Sequence, residues 1–467
     1  MFWDELKILL KYSLPIFGIH AFEYSMMMAT VISIGHISTV ALAAATLGFM
    51  TANVTGLSIV QGMANTLDTV LPSAWTSDQP QLVGLWIQRM SILISVVLIP
   101  VLALWFHAEP ILVGLNQDPE VARLAAIYLK WASLGLPAYA FNCVSRRYFQ
   151  SQGLFTVPTR IILYVAPINI FLNYLLVWGP EPFCLGFIGA PIATSISYNF
   201  VAVASVVYGV FFVPRTAWHP ISVRAFTNLG YLSKLSIGGV GQLASSWWSW
   251  ELVGPSFSLG PTTLATQSVL ITTSSAFFQA PYALGIATSV RIGNLLGEQN
   301  ARRARAVVKA SFLLIILFMC YLCNSSTLLI FRRSWGYLFN NDPEVIELVA
   351  AVLPLVALVQ VFDDSSAVVG GILRARGKQV RCFVNTDALR FYSAYYVIGL
   401  PIGLWLTFKR DLGLFGLWWG LNLAMAYATS IGLYLCFTTD WDREVERVVA
   451  RLAVDKGYNP MDEERAH

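Results

Sequence analysis

Charged residues punctuate this chain instead of patterning it. Residues 24–67, between Glu23 and Asp68, hold no Lys, Arg, Asp or Glu; neither do residues 252–290, 182–214 or 412–439. A helix needs about 20 apolar residues to cross a bilayer, so each of the two longest runs holds parts of two spans. Turns at Gly35–Ser38 and Gly260–Pro261 divide them. Backbone polar groups in lipid must bond within their own segment, which leaves helices or a closed barrel. A barrel alternates polar and apolar residues, whereas these runs are continuously apolar. The pattern predicts an all-α, polytopic membrane protein with twelve transmembrane helices. They fall near residues 10–34, 40–73, 84–106, 121–150, 158–178, 186–213, 230–256, 262–294, 304–331, 345–374, 381–407 and 413–438.

Composition agrees. Of 467 residues, 56% are hydrophobic and 12% charged, and the mean hydropathy is +0.63. That charge is about half the usual share of a soluble domain. Disorder, a disulfide scaffold and an ordinary cytosolic enzyme are excluded. The net charge of +4 comes from basic residues in short loops, so no nucleic-acid partner is implied. Cys143, Cys184, Cys320, Cys323, Cys382 and Cys436 lie in or beside apolar runs and read as small buried hydrophobes. Cys320 and Cys323 form a CxxC with no His or second CxxC to complete a metal site. The start, MFWDELKILLK, carries acids and no small-residue cleavage site, so no signal peptide is expected.

With the N-terminus inside, sixteen Lys and Arg fall in the even loops, Arg146 and Arg147 among them, against four to six in the odd loops. Both termini are therefore expected in the cytoplasm. The tail after Trp441 reads as a solvated amphipathic helix followed by a frayed end.

Residues 116–153 and 340–377 align without a gap at an offset of 224, with 11 identities in 38. Both open on Asn-x-Asp-Pro-Glu-Val, with Asp as N-cap and Pro as first helical residue. The repeat divides the chain into an N-lobe (1–215), a linker (216–229), a C-lobe (230–440) and a tail (441–467). Six helices per half give the lobes one orientation and a pseudo-twofold axis along the membrane normal. Secondary transporters are built this way, with a midplane site between lobes.

Ionisable groups at bilayer depth cost about 2.5–3.5 kcal/mol each on insertion scales and mark function. The candidates are Glu23, Asp68, Glu251, Asp363, Asp364 and Asp387; Arg390, one turn from Asp387, reads as its partner. Glu251 follows Trp247, Trp248 and Trp250, a setting that suits an organic cation through charge and cation–π attraction. Desolvated carboxylates also hold protons more readily than exposed ones. Asp363 and Asp364 point about 100° apart on a helix, so one of them at most faces a given cavity. Glu23 reads as an unpaired acid in a first span; for Asp68, local bonding and a functional role both remain open. Gln150, Tyr282, Asn294, Trp247 and Trp248 are the candidate cavity residues. His20, one turn from Glu23, reads as a satisfied buried histidine. With no P-loop, GxGxxG, GxSxG or HExxH, no cofactor is expected and an ion gradient supplies the drive.

Seven segments carry a family resemblance: TLDTVLPSAW (66–75), RRYFQSQG (146–153), GAPIATSISY (189–198), WWSWEL (247–252), GIATSVRIGNLLGEQNARRARAV (285–307), GGILRARGKQ (370–379) and YYVIGLPIG (395–403). In this order the chain resembles the multidrug and toxic compound extrusion (MATE) family, in its eukaryotic branch. The resemblance implies two six-helix lobes around a cleft and an antiporter that expels organic compounds in exchange for protons. The family's seventh-helix Glu corresponds to Glu251, its tenth-helix acid to Asp363, eight residues before Gly371, and its second-helix Asp to Asp68. Asp364 stands where the family usually has an uncharged residue, and Glu23 where Gln is common. The first-helix Asp of the prokaryotic branch is missing.

The expected protein is a proton-coupled exporter of cationic or amphipathic organic molecules, acting as a monomer in a plasma or vacuolar membrane. Sodium coupling is the nearest alternative. A lipid-precursor flippase would want a basic cavity, and a membrane-embedded transferase would want clustered His or DDxxD-like acids at a membrane face.

Overall fold

The repeated cap motif forms in both halves. Asp118 accepts backbone N–H bonds from Glu120 and Val121 at 2.9 and 3.2 Å, and Asp342 accepts one from Glu344 at 3.0 Å. Pro119 and Pro343 then open their helices, where no backbone donor is needed. The computed structural model describes residues 1–35, 37–115, 117–253, 261–321, 324–339, 342–377 and 394–456, and all regular structure among them is helical.

The first half comprises α1 (Phe2–Gly35), α2 (Thr39–Ala52), α3 (Ser58–Asn65), α4 (Leu67–Trp75), α5 (Leu82–Phe106), α6 (Ala108–Gly114), α7 (Pro119–Ala132), α8 (Leu136–Ser151), α9 (Thr156–Trp178) and α10 (Gly189–Phe211). The second comprises α11 (Leu229–Val253), α12 (Pro261–Gly297), α13 (Ala301–Tyr321), α14 (Asn324–Ile330), α15 (Arg332–Trp335), α16 (Pro343–Ala375), α17 (Leu400–Lys409) and α18 (Leu414–Phe437). A final helix, α19, covers Trp441–Lys456. These make twelve spans in two six-helix lobes. The second span is α2 to α4 with a π turn at Asn53–Leu57, the fourth is α7 with α8, and the eleventh is described from Ala394 onward.

The fourth span departs from expectation. The sequence predicts one helix over 121–150, but the chain breaks between Ala132 and Leu136. Gly135 packs so closely on α10 that a Cβ would lie 2.9 Å from the Cα of Ser195. Pro137 supplies no backbone donor to carry the helix across. Arg146 and Arg147, counted with the basic loop although the predicted span ran to 150, lie inside α8, and both are buried.

The lobes touch where α3 packs on α11, α4 on α12, and α1 on α12 and α13. Small residues permit this approach. A Cβ on Gly62 would sit 2.6 Å from the Cα of Val240, and one on Gly293 would sit 2.8 Å from the Cβ of Pro72. One apolar core joins both lobes here, with Leu9, Ile16, Leu67 and Leu71 from the first and Val290, Leu295, Ile372 and Leu373 from the second. Further along, each lobe has its own core. Ile34, Ala41, Tyr128 and Val177 form one, and Leu270, Leu328, Val349, Val356 and Trp418 form the other. The bundle is therefore sealed at the end carrying the N-terminus, with separate cores toward the opposite end.

The tail also differs from the sequence reading. The amphipathic helix forms over 441–456, but its apolar face is docked and not solvated. Trp441, Val448 and Leu452 are buried in the shared core, and Arg376 lies over the Trp441 ring at 5.8 Å. Glu444 takes hydrogen bonds from Arg376 at 3.1 Å and Arg447 at 2.9 Å. Arg451 reaches the other lobe, donating to the Thr69 carbonyl at 3.2 Å and to Ser73 Oγ at 2.8 Å. The expected frayed end, 457–467, lies outside the described residues.

Candidate functional site

At mid-depth the lobes meet through ring and hydroxyl contacts. The His20 ring on α1 meets the Tyr282 ring on α12 edge-on at 5.1 Å, and Tyr282 stacks on Phe278 at 5.6 Å. Tyr24 donates its hydroxyl to the Thr272 carbonyl at 3.4 Å. Below these contacts is the sealed end; two different sets of acids flank them.

On the N-lobe side, Glu23 is paired. Arg146 of α8 grips both its oxygens, with Nη1 at 3.3 Å from Oε2 and Nη2 bonded to Oε1. His20 Nδ1 lies 3.4 Å from Oε2. The expectation of an unpaired Glu23 is thus corrected: its partner is an arginine 123 residues away that sequence reading put in a loop. Tyr139 and Tyr198 pack ring on ring nearby, 5.4 Å apart, and Asn142 donates to the Tyr198 carbonyl at 2.9 Å.

On the C-lobe side, Asp363 and Asp364 split as helix geometry requires. Asp364 turns into the packing, 1% exposed, and accepts from Gln360 Nε2 at 2.7 Å. Gln360 in turn accepts from Ser274 of α12 at 3.2 Å. Asp363 is half-buried; its Oδ1 accepts from Ser366 Oγ at 3.4 Å, while its carbonyl accepts from the same hydroxyl at 2.8 Å. Among the described residues it has no ion pair. Positions 247, 248 and 251 lie on α11, but the side chains of Trp247, Trp248 and Glu251 are outside the described residues, as are Asp387 and Arg390.

The remaining candidates sit elsewhere. Asp68 lies at the sealed end, 3.8 Å from Arg147 Nε and 3.6 Å from Arg374 Nε. Asn294 is packed there too, its carbonyl accepting from Thr76 Oγ1 at 2.7 Å. Gln150 and Tyr282 are also buried in this conformation. Sequence reading missed Glu5, which is fully buried at the start of α1. It accepts from Arg291 at 2.7 and 2.9 Å and from Arg303 at 2.8 Å, tying the first helix to the other lobe. Burial opposes its ionisation, but the hydrogen bonds and charge of the two guanidiniums outweigh that and hold its carboxyl below the ordinary value.

In the first lobe Glu23 and Asp68 both face arginine, whereas the second lobe holds a half-buried Asp363 beside a buried, hydrogen-bonded Asp364.

Comparison with known proteins agrees with this architecture. A MatE family profile matches residues 15–175 and 239–388. An uncharacterized transporter of Schizosaccharomyces pombe is 36% identical over 455 residues, spanning 95% of this chain and 81% of that protein. The protein DETOXIFICATION 12 of Arabidopsis thaliana is 31% identical over 98% of this chain and 94% of its own length. Human multidrug and toxin extrusion protein 1 is 30% identical, over 96% and 77% respectively. The crystal structure of the eukaryotic MATE transporter AtDTX14 superposes with a TM-score of 0.89 at 26% identity, covering 96% of this chain and 99% of that one. With both lobes matched by the profile and nearly the whole chain matched by these relatives, the protein belongs to the MatE family, multi-pass membrane transporters of small organic compounds and not enzymes.

Proposed function

We propose that this chain is a proton-coupled antiporter that exports cationic or amphipathic organic compounds by alternating access of the lobes 1–215 and 230–440 about the 216–229 linker. One observation carries the reading: Asp363 is accessible at mid-span with no basic partner among the described residues, while Glu23 is held by Arg146. An unpaired carboxylate at that depth is costly unless a ligand uses it. Ionised, Asp363 attracts an organic cation; protonated, it releases one. Each ligand lowers the other's affinity by the same factor, and that reciprocity is the coupling. Glu251, three residues after Trp248, is assigned the same exchange on α11.

Loop charge supports placing the sealed end in the cytoplasm. The excess of Lys and Arg in the even loops survives when Arg146 and Arg147 are withdrawn from it. This conformation is then the outward-open one, poised to exchange cargo for a proton. The host membrane is a plasma or vacuolar membrane, and the working unit is a monomer.

Purified protein in liposomes, loaded with a fluorescent quaternary ammonium ion, tests the reading. Transport is expected to follow an imposed pH gradient and to be lost in Asp363→Asn and Glu251→Gln. Transport that ignores the gradient, or full activity in Asp363→Asn, would overturn it. Dependence on sodium without a pH gradient would replace the coupling ion.

A further inference from the structure

Asp68 is 2% exposed and lies between two guanidiniums from different lobes. Arg147 belongs to α8 in its own lobe; Arg374 belongs to α16 across the seam. Losing the carboxylate charge here would leave two buried cations facing a neutral group, so the two guanidiniums and Asp68 form one electrostatic unit. Its enclosure keeps substrate away.

The contacts are those of a separable junction. At 3.8 and 3.6 Å the two Nε atoms stand beyond direct hydrogen-bonding distance from the carboxylate. Asp68 Oδ2, Arg147 Nε, and Arg374 Nε and Nη2 have no hydrogen bond among the described residues. The attraction of Asp68 across the seam is therefore Coulombic, and parting the lobes breaks none of its own hydrogen bonds; the one direct bond beside it, from Thr69 Oγ1 to the Arg374 carbonyl at 2.6 Å, opens to water with the seam. The two arginines also differ in anchorage. Arg147 is fixed within its own lobe by the Cys143 carbonyl at 3.2 Å and by Asn65 Oδ1. When the seam opens, a neutral Asp68–Arg147 pair stays behind and Arg374 moves into water, so neither side keeps an uncompensated buried charge.

Both arginines lead back to mid-depth. Arg374 follows Asp363 by eleven residues on one unbroken helix, three turns along the same stripe and about 16 Å away. Arg147 adjoins Arg146, which holds Glu23. Movement of α16 or α8 in response to a ligand at mid-depth thus bears directly on the junction.

We propose that Asp68 is a positioning residue of the transport cycle: it holds Arg147 throughout and Arg374 only while this end is closed, setting the balance between the two access states. The proposal rests on the alternating-access reading above, and its test separates the two. Spin labels at Gln79→Cys and Glu298→Cys, exposed positions on opposite lobes at the sealed end, report the lobe distance in a transporting, cysteine-free background in nanodiscs.

The unaltered junction is expected to give one short distance. Arg374→Gln and Asp68→Asn are expected to raise a longer-distance population by about tenfold, and Asp68→Glu to preserve the short one. In liposomes, Arg374→Gln is expected to lower the maximal rate about tenfold while KM stays within about threefold, a split that simple misfolding does not produce. Unchanged distances in folded Arg374→Gln and Asp68→Asn would overturn the proposal. So would an Asp68→Asn protein that keeps its distances but loses its response to the pH gradient, because Asp68 would then be a proton carrier. Failure of unaltered protein to follow a pH gradient refutes the proposed function alone, since the distance readout needs no substrate.

Discussion

Glu5, at the start of the chain, and Arg291, near the end of α12, form a two-pronged ion pair across the lobes, with hydrogen bonds of 2.7 and 2.9 Å. Replacing Glu5 by Gln leaves Arg291 buried without its counter-charge, an expected loss of about 2–3 kcal/mol. Acid is expected to act similarly on the native protein. The folded carboxyl titrates below its ordinary value of 4.5, so its contribution is complete above that value and fades as pH falls through the folded value. Thermal unfolding in detergent at neutral pH and near pH 4 checks this: the native protein should lose more stability on acidification than Glu5→Gln.

Glu23 and Arg146 depend on each other in the same way, but inside one lobe. Glu23→Gln is expected to cost about 2–3 kcal/mol by stranding a buried guanidinium. The double variant Glu23→Gln with Arg146→Gln should recover part of that loss. A double-mutant cycle on melting temperatures measures the coupling; additive effects would show that the pair contributes nothing jointly.

Gly62 tests the tightness of the seam. A methyl group there meets the Val240 backbone at 2.6 Å, which no side-chain rotation relieves. Gly62→Ala is expected to push α3 from α11 and make the sealed end accessible. Labelling of a cysteine placed at the buried Ser289 by a membrane-impermeant maleimide should accelerate at least about tenfold, as expected when a protected site opens.

Removing α19 tests whether the tail clamps the lobes. Deleting residues 441–467 exposes the core surface that Trp441, Val448 and Leu452 cover, and removes Arg451 from Thr69 and Ser73. The deletion should lower the melting temperature by several degrees. Arg451→Ala alone should cost about 1–2 kcal/mol through its lost hydrogen bonds.

The helices were legible in the sequence because each rests on local signals: charge-free runs, and the caps at Asp118 and Asp342. The break before α8 was not, since the approach of Gly135 to Ser195 is a tertiary contact with no local mark. Arg146 and Arg147 were misread for another reason: charge near a span end counts as loop charge, although the predicted helix ran to 150, and the partner that buries Arg146 is 123 residues away. The pairing of Glu5 with Arg291 spans 286 residues, and nothing in either neighbourhood announces it. The tail is different. Its apolar positions 441, 445, 448 and 452 recur at helical spacing, a stripe that advertised docking although the surrounding charge suggested solvation.

The apolar seam uniting both lobes occupies a single mouth of the bundle. Prising that mouth apart wets side chains that are now dry, at about 25 cal/mol for each Å² of apolar surface. The two smaller cores at the far mouth are already complete within their own lobes, so widening that mouth forfeits little. On the proposed cycle, an empty transporter is therefore expected to rest with the seam shut, unsealing being the costlier of the two openings.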